Sequence, residues 1–197
     1  PEVWAFVSSR DENTATRIDL LLDAAADRIL REEGKPVPHR DHRPPFLTFE
    51  TLRPKIVQSP KSVWNEVADL YSIVQGWYDD RSLFHKLGYL TAAGLDFVAL
   101  LDESAGRTKS DFDEHLTTLI RKRLNLSADR LAELSYESKP QAKRLSEVLL
   151  LLNVATVSAM NDSSERYSFS AHARGVWSLE HVNAQQTDRL NRESQWT

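Results

Sequence analysis

The sequence contains no cysteine, which excludes disulfide bonds and metal sites built on thiolates. Glycine is scarce, with 6 residues in 197, and there is no Gly-rich loop of the kind that cradles phosphate groups. The longest apolar run covers residues 148–152 and is far too short to span a bilayer. A secretory signal pattern is also missing. These absences favour a cytoplasmic location, and they give a small-molecule enzyme no support.

Positive charge is not in excess either. The 25 Lys and Arg residues are outnumbered by 29 Asp and Glu residues, so the formal net charge is −4. This balance argues against strong nonspecific nucleic-acid binding by the whole chain, and any DNA contact requires a local patch or a further domain. An apolar content of 41% and a charged content of 27% are typical of a globular protein with one good core.

Helical periodicity is abundant and predicts a mainly α fold. Asn13 or Thr14 is expected to cap a helix that runs to about Glu33, because apolar residues recur there at helical spacing. Ser59 and Pro60 predict the start of another long helix, with serine as the cap and proline in the first turn. The body of the chain is therefore expected to be a helical bundle.

Two helices have features that can be tested against a structure. A helix over residues 46–57 is expected to break near Pro54, because proline removes a backbone donor. Pro140 is expected to open the last long helix, which runs to about Met160. Residues 148–154 are apolar on nearly every side, which predicts a helix that is buried all round and forms the axis of the bundle.

Several titratable side chains fit both a functional and a structural interpretation. His85 is expected off the apolar face of its helix, at the surface or half-buried. An acidic run with a histidine follows Ser110, the expected cap of the next helix: Asp111, Asp113, Glu114 and His115. Capping explains it better than metal binding, because consecutive helical positions point in different directions. The last turn of that helix carries Arg121, Lys122 and Arg123. These cations suit the helix dipole, and a phosphate-facing patch is the alternative.

Residues 35–45 form a proline-rich segment that predicts an exposed loop. His39 and His42 are three positions apart in this loop, but a metal site would need more ligands and a rigid support. A loop that contacts phosphate through Arg40 and Arg43 is one interpretation, and a plain solvated loop is the simpler one.

Near the end of the chain, apolar and polar residues alternate over residues 176–182, apart from Trp177, and follow Gly175. This alternation predicts a strand that carries Glu180 and is closed by His181. A glutamate can hold a divalent cation through oxygen, and a neutral histidine can take a proton from water near pH 7. From Tyr167 onward the pattern is strand-like, so a boundary is expected between a helical domain, residues 1–161, and a second unit, residues 162–197.

Residues 177–185, WSLEHVNAQ, resemble the first strand and turn of HNH (ββα-metal) nucleases, although Ala184 stands where proline is usual. From Tyr167 to Gln185 the chain is similar to the C-terminal part of the GmrSD family of modification-dependent restriction proteins. Five further stretches are similar to the helical middle of that family, in the same order: residues 2–6, 16–21, 77–81, 87–90 and 134–137. The resemblance therefore covers almost the whole chain.

The resemblance implies a mainly α bundle followed by the first part of an HNH-like nuclease unit. It assigns His181 as the general base and Glu180 as a ligand of a divalent metal, Mg²⁺ in the expected case. The partner is then modified DNA, such as phage DNA, and a nucleotide triphosphate is used through a domain outside this chain. The family's remaining metal ligand, an Asn or His, is expected beyond Thr197. The chain also starts without methionine, so we expect an inactive fragment of a larger endonuclease. The alternative is a helical scaffold or interaction module with no catalytic role.

Overall fold

The computed structural model describes residues 2–7, 17–132, 134, 138–160 and 164–175. This part of the chain is mainly helical and contains no strand, which confirms the mainly α prediction. A short 3-10 turn covers Glu2–Trp4, and a second covers Arg40–His42. The α-helices in chain order are α1 Ile18–Glu32, α2 Leu47–Gln58, α3 Pro60–Asp79, α4 Arg81–Ala92, α5 Phe97–Glu103, α6 Lys109–Leu124, α7 Ala128–Ala132, α8 Lys139–Ala159 and α9 Phe169–Ala173.

Short polar side chains set most of the helix starts. The Asp80 carboxylate accepts the backbone N–H of Leu83 at 2.9 Å, so α4 begins immediately after α3 ends. Thr108 caps α6 by accepting the N–H of Asp111 at 3.2 Å. The predicted cap, Ser110, is wrong by two positions, because it already lies inside the helix. Pro60 opens α3 as predicted, since a residue without a backbone N–H is tolerated in the first turn. The predicted serine cap is wrong, because the Ser59 side chain accepts no capping hydrogen bond.

The helices pack around α4. α1 packs against α2, α3 and α5, while α4 packs against α3, α6, α8 and α9. Eight of the twelve residues of α4 are buried, from Leu83 through Leu90 and Thr91, with only Lys86 partly open. Aromatic rings fill the space beside α4, and Trp77 of α3 stacks on Phe112 of α6 with ring centroids 5.2 Å apart. The centre of the bundle is therefore α4.

The predicted role of α8 as the buried axis is wrong. Of its apolar run, Leu150 and Val154 are buried, whereas the Leu152 side chain is 61% exposed. The helix lies against α4 with one face only, because α4 already occupies the centre. The break predicted at Pro54 is also wrong, since α2 continues through this residue to Gln58. None of the helices in the described ranges is long and apolar enough to cross a membrane.

Candidate functional site

The predicted catalytic pair, Glu180 and His181, lies outside the described residues, which end at Gly175. The strand expected over residues 176–182 lies outside them too. The boundary expected after residue 161 stays a prediction. What the structure gives is the segment that leads into this region, residues 164–175, together with the surface of the bundle around it.

Residues 164–175 are fixed to the helical bundle by aromatic and cationic side chains. The guanidinium of Arg166 lies 4.5 Å from the ring centroid of Tyr78 and 5.0 Å from that of Phe84. Tyr167 and Phe169 are buried, with ring centroids 4.9 Å apart. The strand-like pattern from Tyr167 is wrong over Phe169–Ala173, which is a short helix. The Ser168 hydroxyl starts that helix by accepting the N–H of Ala171 at 3.3 Å.

Gly88 allows this segment to reach α4. A Cβ atom at position 88 would lie closer than 3.0 Å to three ring carbons of Phe169. The Phe169 ring has no freedom to move away, because it is fully buried between Tyr167 and Phe84. Glycine at position 88 is therefore required by close packing.

His85 joins α4 to the same segment. The prediction that it lies at the surface or half-buried is wrong, because its exposed fraction is 2%. Its Nε2 atom accepts the backbone N–H of Tyr167 at 3.1 Å, which requires a neutral ring. Burial lowers the pKa of His85 from 6.5 to about 4; the Arg81 carbonyl opposes this shift, and the charges of Arg81 and Arg166 add to it. His85 is therefore an uncharged structural contact at neutral pH.

Arg81 ties the end of α8 to the start of the segment. Its guanidinium donates hydrogen bonds to the carbonyls of Val157 at 2.5 Å, Ser158 at 2.9 Å and Glu165 at 3.0 Å. The first two carbonyls belong to the last turn of α8, where the helix dipole favours a cation. One side chain therefore holds the main chain on both sides of residues 161–163.

An open groove follows α8 and ends where the described chain ends. One part, of about 750 Å³, lies between α4, α8 and α9 and is lined at its end by Arg174 and Gly175. A neighbouring part, of about 600 Å³, lies between α6 and the first turns of α8. Lys143 and Glu147 line both parts, so we treat them as one feature, the α8 groove.

The α8 groove is basic. Its lining contains five lysine or arginine side chains and one carboxylate: Lys122, Arg123, Lys143, Arg144, Arg174 and Glu147. Glu147 accepts a hydrogen bond from Arg123 at 3.0 Å and lies 3.9 Å from Arg144. Arg123 also donates to the carbonyl of Ala93, and Arg144 donates to that of Leu124. Among the described residues, Lys122, Lys143 and Arg174 have no ion-pair partner.

The other titratable candidates are used structurally. Asp113 forms an ion pair with Lys86 at 2.6 Å and accepts a hydrogen bond from Ser82 at 2.8 Å. His115 lies 2.6 Å from a carboxylate oxygen of Glu103. Asp111 contributes to the cap of α6 by accepting from the Thr108 hydroxyl at 2.7 Å. Capping, which the sequence favoured, therefore explains Asp111, whereas Asp113 and His115 contact charged side chains of α4 and α5.

Arg43 is not available to bind phosphate. The interpretation that the proline-rich segment contacts phosphate through Arg43 is therefore wrong. Its side chain is largely buried and donates to the carboxylate of Asp27 at 2.8 Å and to the hydroxyl of Thr48 at 3.0 Å. His39 and His42 stay exposed, with ring centroids 6.5 Å apart. Across the described ranges, no group of three or more metal-binding side chains occurs.

Comparison with known proteins adds no relative. No family model, no curated protein and no solved structure matches this chain.

Sequence reasoning missed His85, Arg81 and Gly88 as the residues that hold the terminal segment. It also missed Lys143 and Arg174, because the residues that line the groove with them come from helices far apart in the chain. Only the glycine had a sequence signal, since an isolated glycine inside a helix indicates close packing.

Proposed function

We propose that the chain is part of a modification-dependent DNA restriction endonuclease: the helical middle and the first strand of an HNH-like nuclease unit. The observation that carries this proposal is the sequence of residues 177–185, with its adjacent acid and imidazole, in the order expected after a helical body. The mainly α fold is consistent with such a body. The family assignment rests on sequence resemblance.

The chemistry proposed for Glu180 and His181 follows from their side chains. A carboxylate oxygen suits a hard divalent cation such as Mg²⁺, and a neutral imidazole can accept a proton from an attacking water. A bound cation would stabilise charge on the scissile phosphate. In the family that the chain resembles, a further ligand, an Asn or His on the following helix, completes the metal site, and by that resemblance we place it beyond Thr197. For this reason the isolated chain is expected to be inactive.

The helical bundle would contribute a rigid support for the nuclease unit. Catalytic geometry must hold to within a fraction of an ångström, which requires that the strand be anchored close to the reacting groups. Arg81, His85 and Phe169 fasten residues 164–175 to α4, and Gly175 is six residues before His181. A restriction protein needs this kind of coupling if a separate domain senses the modification.

The proposal is tested by incubating the full-length protein with modified and unmodified DNA, with and without Mg²⁺ and a nucleotide triphosphate. We expect Mg²⁺-dependent cleavage that disappears in His181→Ala. His39→Ala is the matched control, because His39 is an exposed loop histidine, and it should cleave like the wild type. Cleavage that survives in His181→Ala would contradict the assigned base, and the absence of cleavage on every DNA would contradict the proposal.

A second candidate function, a helical interaction module, is favoured by a separate observation. Large apolar side chains on α2 and α3 are exposed, including Phe49, Val57 and Trp64. A surface of this kind is typical of protein–protein contacts. If the full-length protein cleaves no DNA, this candidate becomes the better explanation.

A further inference from the structure

We infer that the α8 groove binds the phosphate backbone of duplex DNA beside the nuclease unit. This inference rests on the proposed function, because it assigns the groove to the same substrate. Because the formal net charge of the chain is −4, DNA binding would need a local basic patch, and the α8 groove supplies one. Three cations of the groove carry this inference, because they have no ion-pair partner among the described residues: Lys122, Lys143 and Arg174.

The α8 groove is positively charged, whereas the chain as a whole has a net negative charge. Five cations face one carboxylate, although acidic residues outnumber basic ones in the chain as a whole. The basic residues come from α6, from α8 and from the residue after α9, so the fold and not a local run of sequence brings them together. A concave surface lined by one sign of charge raises the local concentration of an opposite polyion.

Helix stability explains only some of these charges. Lys122 and Arg123 lie in the last turn of α6, where cations are favourable. Lys143 lies near the start of α8, which has no acidic residue in its first turn. It is the fifth residue of this helix and far from the C-terminal end at which the helix dipole favours cations, so the dipole does not account for it. Within the described part of the chain Lys143 has no ion-pair partner and is exposed, so it is available to an anionic ligand.

The position of the groove fits a DNA backbone that reaches the catalytic strand. Gly175 lines its end, and His181 follows six residues later. Six residues span at most about 20 Å, which corresponds to about six base pairs along duplex DNA. A duplex seated in the groove would therefore bring a phosphodiester within reach of His181. The open form of the groove suits a backbone that passes along it.

The test compares two double variants that remove equal charge. The groove variant, Lys143→Gln/Arg174→Gln, removes one lysine and one arginine from the α8 groove. The control variant, Arg53→Gln/Lys61→Gln, removes one arginine and one lysine from α2 and α3. All four side chains are exposed, so neither variant should unfold the protein. Denaturant midpoints equal to the wild-type value check this, and the single variant Lys143→Gln is used if the groove variant unfolds.

Binding of a labelled 20-base-pair duplex is measured by fluorescence anisotropy from about 50 to 200 mM KCl. The full-length protein is used, together with its His181→Ala variant. We expect the groove variant to reduce the slope of log affinity against log salt by about 2, with affinity on the order of tenfold weaker near 150 mM. The control variant should keep the wild-type slope. Because this readout does not need cleavage, it is independent of catalysis.

The outcomes separate the two proposals. If the wild type cleaves DNA but the groove variant keeps wild-type affinity and slope, the groove inference is wrong and the nuclease proposal stands. If no DNA is cleaved but binding depends on the groove, the nuclease proposal is wrong and the groove inference stands. Equal losses in the groove and control variants, or a preference for duplex RNA, would also overturn the inference.

Discussion

Replacing Gly88 with alanine measures how tightly the terminal segment is packed on α4. A helical glycine is normally less stable than alanine by about 1 kcal/mol, so the change should stabilise an open site. At position 88 the new methyl group would overlap three ring carbons of Phe169. Overpacking in a dense core costs about 1–3 kcal/mol. We expect a net destabilisation of about 1 kcal/mol, since the contact outweighs the gain in helix propensity.

Gly76→Ala is the matched control. Gly76 is also helical, within α3, but a Cβ atom there meets nothing within 4 Å. This variant should be stabilised by about 0.5–1 kcal/mol, as expected for an unhindered position. Urea denaturation at pH 7, followed by tryptophan fluorescence, gives both free energies of unfolding. The opposite signs of the two changes are the expected result.

A double-mutant cycle isolates the contact itself. Phe169→Ala alone should cost about 3–5 kcal/mol, because a fully buried ring is removed. In that background Gly88→Ala should become stabilising, since the ring that it overlapped is gone. If Gly88→Ala stabilises the wild-type protein as much as Gly76→Ala does, residues 164–175 are not packed on α4 and the anchoring described above is wrong.

Two further predictions concern buried titratable groups. Because the pKa of His85 is about 4 in the folded protein against 6.5 when unfolded, its contribution to stability is complete above pH 6.5 and is lost as the pH falls toward 4. His85→Gln should remove up to about 3 kcal/mol of this dependence, measured by denaturation between pH 7 and 4; an unchanged pH profile would show that His85 is not buried neutral. Arg43→Met should destabilise the protein by about 3 kcal/mol at pH 7, because it leaves the Asp27 carboxylate buried without its cation. Burial already raises the pKa of Asp27, so the loss should shrink as the pH falls and Asp27 takes a proton. The double variant Arg43→Met/Asp27→Asn should recover most of the loss; no recovery would show that the pair is not the cause.

The sequence alone predicted the helices because their signals are local. Pro60 fixes the start of α3 by backbone chemistry that needs no distant partner. Apolar spacing likewise predicted α1 to within a residue or two of its observed end at Glu32. The same local rules misplaced the cap of α6 and the break in α2, where neighbouring positions compete for a similar role.

Burial could not be predicted in this way. The apolar run in α8 was predicted to be buried all round, but Leu152 is exposed. His85 in α4 was predicted to lie at the surface or half-buried, but it is fully buried. Periodicity states which face of a helix is apolar, but not how many other helices surround it. That number is set by how the whole chain packs, and here α4 and not α8 has neighbours on most sides.

The candidate sites show the same difference between what the sequence predicts and what the packing of the chain decides. By itself the sequence determined which side chains are candidates for chemistry: Glu180 beside His181, and the cations at the end of α6. The tertiary structure decided that Lys122 lines one groove with Lys143 and Arg174, and that Arg43 is taken up by a buried carboxylate. The physical reason is that charge and hydrogen-bonding capacity belong to a residue, whereas the partners that use or release them come from distant parts of the chain.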